Sequence, residues 1–220
     1  MQIEDYIKAG KIAAEVREKV RAKNWVGKTV YEICEEVEGE IKKRGAKCAF
    51  PVNTSINEVA AHYTAEPNDP ITIKDDDLVK IDLGAQINGY IADTAVTVCY
   101  DAQFDGLVQA AEEALGNAMS MAKSGVKVSD IGRTIEKTIK QLGFKPIANL
   151  SGHSLDQYTI HAGKTIPNIW SIGGYSLSNS TAYACEPFVT TKDAGGFVRN
   201  GKIKNIFAIN SRKKIKDPEA

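Results

Sequence analysis

The chain repeats its own grammar once, and that repeat constrains its fold more than any other feature. Residues 4–23 place Ile7, Ile12, Val16 and Val20 near helical spacing. Gly27 punctuates, and Thr29 can cap a second helix, with Glu32 three residues on completing a capping box. That helix carries Val30, Ile33, Cys34, Val37 and Ile41 on one face and stops at Gly45. The same order returns in "LVQAAEEALGNAMSMAKSG" and "VSDIGRTIEKTIKQLG". Aligning Gly27 with Gly125, an offset of 98, matches Val30/Val128, Ile33/Ile131, Glu38/Glu136, Ile41/Ile139, Gly45/Gly143 and Lys47/Lys145. Two amphipathic helices can share part of such a pattern by chance. The preserved order nevertheless points to two similar halves, each feeding two helices into a set of strands. Helices segregated from antiparallel hairpins make an α+β layer fold.

The expected organisation is one domain over residues 1–220, with a first pseudo-repeat at 1–104 and an incomplete second at 105–220. The first half closes with "VKIDLGAQINGYIADTAVTV", residues 79–98. The second has one comparable strand, "TAYACEPFVTT", residues 181–191. A Gly-rich turn, a short hairpin candidate at Asn200-Gly201 and the tail "SRKKIKDPEA" follow, the tail reading as a solvated end. No second arm comparable to "YIADTAVTV" is visible, so the second half reads as unfinished.

Composition narrows the classes. At 220 residues the chain can bury a sizeable core. Its 28 basic residues equal its 28 acidic ones, which gives no electrostatic case for a specific nucleic acid or an anionic membrane. No apolar run approaches a membrane span, and the charged N-terminus lacks the apolar core of a signal peptide. The four cysteines are scattered without a CxxC pair, and Cys99 and Cys185 read as buried thiols in strands. A reducing, cytoplasmic compartment fits that usage.

The hairpin poses the chemical question. With Asn88-Gly89 as its turn, Ile87 faces Tyr90, Asp82 falls opposite Ala95, and Asp93 falls opposite Gly84. Alternation then puts Asp82 and Asp93 on one face as diagonal neighbours, roughly 7–8 Å apart at the backbone. A wet hairpin face is the plain reading. Against it, Asp is disfavoured in strands, and two close carboxylates repel. A cation between them would remove both costs, and paired metals about 3.5–4 Å apart could be flanked by such residues. Spacing alone leaves both readings open. The three histidines are His62, His153 and His161, and a lone histidine is more often structural than a ligand. Glu186 interrupts the apolar "YACEPF", where a buried carboxylate needs a partner. Histidine with Asp and Glu, and without Cys, suits Mn, Fe, Co or Zn.

Together "PVNTSINEVAAHYTA", "KIDLGAQINGYIADTAVTV", "GHSLDQYTIHAGKTIPN" and "YACEPFVTT" closely resemble the archaeal and eukaryotic type 2 methionine aminopeptidases, over roughly residues 1–207. The resemblance implies the pita-bread fold, whose pseudo-symmetric halves agree with the repeat. It implies two divalent metal ions (Co, Mn, Fe or Zn) held by Asp82, Asp93, His153 and Glu186, with Glu186 also the base that activates water. His161 would stabilise the tetrahedral intermediate, and His62 would contact substrate near the scissile bond. Phe50, Ile160, His161 and Phe188 match positions around the methionine pocket. The implied reaction is removal of the initiator methionine, so N-terminal Met peptides and nascent chains are the expected partners, with ribosome proximity following from the latter.

One departure qualifies the match. The family carries a last glutamate ligand on a strand near its C-terminus, after a helical insertion. This chain ends where that insertion is expected to begin, and Glu219, in a polar tail, is no substitute. A complementing C-terminal chain would then be needed for full activity. The alternative is a shortened pita-bread module that binds metal or a protein partner without turnover. An Xaa-Pro peptidase of the same fold is disfavoured by "NEVAAHYTA".

Overall fold

A computed structural model describes residues 3–208; the tail at 211–220, with Glu219, lies outside the described residues. Helix α1 (Ile3–Ala22) buries Ala9, Ile12, Ala13, Val16 and Val20. Ile7, expected on that face, is 52% exposed. Nine residues before Val16, it lies half a revolution away at 3.6 residues per turn. Gly27, at φ 82°, turns the chain into α2 (Val30–Lys43). The capping box forms as its sequence predicts. Glu32 N–H donates to Thr29 Oγ1 at 3.1 Å, and Thr29 N–H donates to Glu32 Oε2 at 2.8 Å. Arg44 ends the helix, and Gly45, at φ 82°, leads out of it.

Four strands follow: β1 (Lys47–Cys48), β2 (Asn53–Ile56), β3 (Leu78–Ile87) and β4 (Tyr90–Cys99). Strand β3 is central and every pairing is antiparallel. β4 runs along one edge, while β2 and β1 share the other. Asn88 (φ 52°) and Gly89 (φ 88°) form the turn, both in the left-handed region that a two-residue hairpin favours. Val79, Ile81 and Leu83 of β3 are fully buried in a core with Val16, Trp25, Ile33 and Ile41, under the two helices. Lys80, Asp82 and Gly84 alternate with them and so line the opposite face.

A short 3₁₀ turn (Ala102–Phe104) opens the second half. Helices α3 (Asp105–Met121) and α4 (Val128–Gln141) follow, then β5 (Lys145–Pro146), β6 (Ser151–Leu155), β7 (Thr165–Pro167), β8 (Ala182–Ala184) and β9 (Val189–Thr190). Val128, Ile131, Ile135 and Ile139 of α4 pack with Ala114 and Ala118 of α3. The two halves repeat at the level of single hydrogen bonds. Gly27 N–H donates to Ile73 O and Gly125 N–H to Leu177 O, both at 2.9 Å. Val30 N–H donates to Ile71 O at 2.8 Å, and Val128 N–H to Tyr175 O at 3.0 Å. Ile91 of β4, Leu155 of β6 and Ala184 of β8 form a small buried cluster that joins the halves.

Three expectations need correction. The strand expected over 181–191 is two short strands with a break at 185–188, where Pro187 has no N–H to offer a ladder. No strand forms at Asn200-Gly201. Cys99 and Cys185 are only half-buried, one ending β4 and the other opening the break, while Cys34 is the buried thiol. Among the described residues, no strand pairs with the outer edges of β8 and β9, and no helix is long and apolar enough to cross a membrane.

Candidate metal centre

The hairpin register follows from its turn. Asp82 pairs with Ala95 and Gly84 with Asp93, so both aspartates share the face turned away from the helices. Asn53 and Ser55 of β2 join that face as register partners of Asp82 and Lys80. Asp82 Oδ1 is buried without a hydrogen-bond partner among the described residues. The gap that Gly84 leaves between the two carboxylates is not open. A Cβ there would overlap the Phe50 ring, so Phe50 lies over the glycine and beside the carboxylate face.

The second half supplies the other groups. At Gly152 a Cβ would overlap Ala184 O, so only glycine lets β6 approach β8 this closely. That approach sets His153, on β6, beside the break that carries Glu186. His153 Nε2 donates to Glu186 Oε1 at 3.0 Å and stands 3.5 Å from Asp93 Oδ2. The His161 ring meets the His153 ring edge-on, with centroids 4.4 Å apart. Ser55 pairs with Lys80 in the first half as His153 pairs with Ala184 in the second. Two residues on from those partners stand Asp82 and Glu186, which thus occupy equivalent places in the two halves.

The electrostatics follow from crowding. Burial, then the charges of Asp93 and Glu186, hold the Asp82 carboxyl well above its usual range. Burial and Glu186 push Asp93 up to about 7, with His153 pulling the other way. Burial pulls His153 down, but its hydrogen bond to Glu186 and the charges of Glu186 and Asp93 outweigh that and raise it. His161 is lowered by burial and then by His153, against Glu186; His62 is near enough to contribute to the lowering.

Among the described residues, no three His, Cys, Asp or Glu side chains ring one point at metal-bonding distance. His153 meets Glu186 directly instead, with Asp93 close by. The donor set still fits a divalent cation: three carboxylates and an imidazole converge, and one buried carboxylate oxygen has no partner. Ile160 packs on the Ile91–Leu155–Ala184 cluster together with Ala49, the neighbour of Phe50. Phe188 is half-buried, its carbonyl accepting from Ile147 N–H at 2.9 Å. His62 is exposed and left-handed, at φ 64°. A cavity of about 610 Å³ lies elsewhere, between the start of α4 and residues 170–174, and none of these residues lines it. Sequence reading passed over Ser55, whose buried Oγ has no partner among the described residues. The offset of 98 already mapped it onto His153.

A family profile described as metallopeptidase family M24 matches residues 4–209. The methionine aminopeptidase of Pyrococcus abyssi is 48% identical over 192 residues, which cover 87% of this chain and 65% of that protein. The methionine aminopeptidase of Methanocaldococcus jannaschii is 41% identical over 223 residues, covering 100% of this chain and 75% of that protein. The solved methionine aminopeptidase of Thermotoga maritima superposes with a TM-score of 0.78 at 30% identity, over 86% of this chain and 79% of its own. The chain thus spans about two thirds of the length of the curated relatives it matches.

Proposed function

The chain belongs to metallopeptidase family M24 and has its pita-bread fold, and from that premise we propose that it removes the N-terminal methionine from peptides and nascent chains as an enzyme of the type 2 class. The observation that carries the reading is the convergence of His153 Nε2 with Asp93 and Glu186 beside the unpartnered Asp82 Oδ1. Asp82, Asp93, His153 and Glu186 would hold divalent metal, two ions drawn from Co, Mn, Fe or Zn. Bound there, a divalent metal supplies Lewis acidity and a nucleophile at neutral pH.

The protein's own groups supply the rest. Glu186 takes the proton of the attacking water at its carboxylate. His161, kept neutral by burial and by the neighbouring His153, donates an N–H to the oxyanion that develops on the first carbonyl. His62 contacts the peptide beside the scissile bond. Phe50, Ile160 and Phe188 receive the unbranched methionine side chain. The catalytic unit is one domain over 1–220, with halves at 1–104 and 105–220. A cytoplasmic setting, proximity to the ribosome and a complementing chain belong to the same proposal.

The test uses the purified chain with Mn, Fe, Co or Zn and a Met-Ala-Ser peptide. It is run alone and with a segment of a relative taken from outside the aligned stretch. Released methionine and bound metal are measured. Turnover that Asp82→Asn abolishes is the expected result. Turnover retained by Asp82→Asn refutes the ligand assignment, and absence of both metal binding and turnover in both conditions overturns the function.

A further inference from the structure

Residues 57–63 leave β2 and return to it carrying His62, and both ends of the excursion are pinned. At the near end every polar group of Asn57 is engaged by the start of β3. Its N–H donates to Leu78 O at 2.9 Å, and its Oδ1 accepts from Leu78 N–H at 2.9 Å. Its Nδ2 donates to Asp77 Oδ1 at 2.8 Å, and its carbonyl accepts from Lys80 Nζ at 2.8 Å. At the far end Thr54 N–H donates to Tyr63 O at 2.7 Å, and Thr64 Oγ1 donates to Val52 O at 2.8 Å. Between the pins, Val59 N–H donates to Ile56 O at 3.0 Å. Glu58, Ala60, Ala61 and His62 make no backbone hydrogen bond among the described residues.

His62 nevertheless holds a left-handed backbone, at φ 64°. A residue with a β-carbon persists there only when its surroundings over-determine it. The hydrogen bonds at the two ends of the loop are the restraints that stand on either side of it. Lys80 is placed unusually for such a task, half-buried on the carboxylate face two residues before Asp82. Its ammonium is spent on a loop carbonyl rather than on a carboxylate.

We propose that Lys80, acting through Asn57, is a positioning residue that holds His62 in its left-handed conformation and aims its imidazole across the carboxylate face. The use of that aim rests on the reading of His62 as a substrate contact; the positioning itself does not.

The experiment has two arms on the purified chain. In the first, NMR follows the ring and backbone resonances of His62 and His153. Lys80→Met should displace the His62 signals and leave those of His153 in place, and Lys80→Arg should restore them. If Lys80→Met does not fold, Asn57→Gly tests the other side of the clamp: glycine keeps the left-handed backbone of Asn57, at φ 51°, while losing the side-chain bonds to Asp77 and Leu78, and it too should displace the His62 signals. In the second arm, Lys80→Met should lower kcat/KM on the Met peptide about tenfold and should add nothing in a His62→Ala background. Unmoved His62 signals, or equal activity losses in both backgrounds, overturn the proposal. A wild-type chain without turnover whose His62 signals still move in Lys80→Met counts against the peptidase reading and supports the clamp.

Discussion

His153 donates from Nε2 to Glu186 Oε1 at 3.0 Å, and Asp93 Oδ2 stands 3.5 Å from the same nitrogen. The relationship ties β4 of the first half to β6 and the β8–β9 break of the second. It leaves Asp82, the equivalent of Glu186 in the other half, with an oxygen that no group among the described residues satisfies.

That imbalance predicts opposite effects of one substitution. Asp82→Asn keeps the shape and replaces a carboxyl whose charged form is opposed first by burial and then by Asp93 and Glu186. The metal-free chain should gain on the order of 1 kcal/mol, since the buried amide recovers only part of the desolvation cost. Affinity for Co or Mn should fall by at least about tenfold. Thermal melts in chelator and calorimetric metal titration read the two effects separately. A loss of stability in chelator would contradict the repulsion.

Two glycines predict losses of different severity. Gly84→Ala drives a methyl group into the Phe50 ring and should cost about 1–3 kcal/mol, with a raised KM as Phe50 moves. Gly152→Ala meets the backbone oxygen of Ala184, which cannot rotate away. It should cost more, and should weaken metal binding by carrying His153 away from Glu186. Urea unfolding of both variants ranks them, and equal costs would contradict the difference in obstacle.

The caps of the equivalent helices α2 and α4 are unequal. Thr29→Ala should cost about 1 kcal/mol by removing a formed capping box. Lys127, at the same place before α4, has extended backbone and makes no side-chain cap. Lys127→Thr should therefore stabilise by several tenths of a kcal/mol, roughly. Paired thermal melts decide both signs.

Glu40 sets an acid limit. Hydrogen bonds from Lys19, Arg44 and Lys43 hold its carboxyl down to about 2, with Lys19 Nζ at 2.8 Å and Arg44 Nη1 at 2.6 Å. Because its folded pKa lies below the unfolded one, its contribution is full above the ordinary carboxylate range and disappears as pH falls through about 4.5 toward 2. Glu40→Gln should be less stable than the parent near neutral pH, and the two should converge at the acid end. Melts across that range check the convergence.

Much of the architecture is local and was therefore legible in residue order. Asn88-Gly89 sets the hairpin register, because a two-residue loop leaves one way to pair the strands, and that register puts Asp82 and Asp93 on one face. Thr29 with Glu32, and Gly27 with Gly125, announce helix starts through backbone chemistry that acts within a few residues. What tertiary structure decided is everything that depends on distant segments meeting. Phe50 occupies the space over Gly84, and Ile160 joins Ala49 at the cluster between the halves; the exposure of Ile7 and the break at Pro187, by contrast, follow from helical period and a missing N–H already written in residue order. Above all, His153 meets Glu186 and Asp93 only because Gly152 lets two strands close, and because a small apolar cluster draws the halves together. Side-chain alternation and turn chemistry are written residue by residue. The coincidence of three carboxylates and an imidazole is a property of packing, which no local pattern encodes.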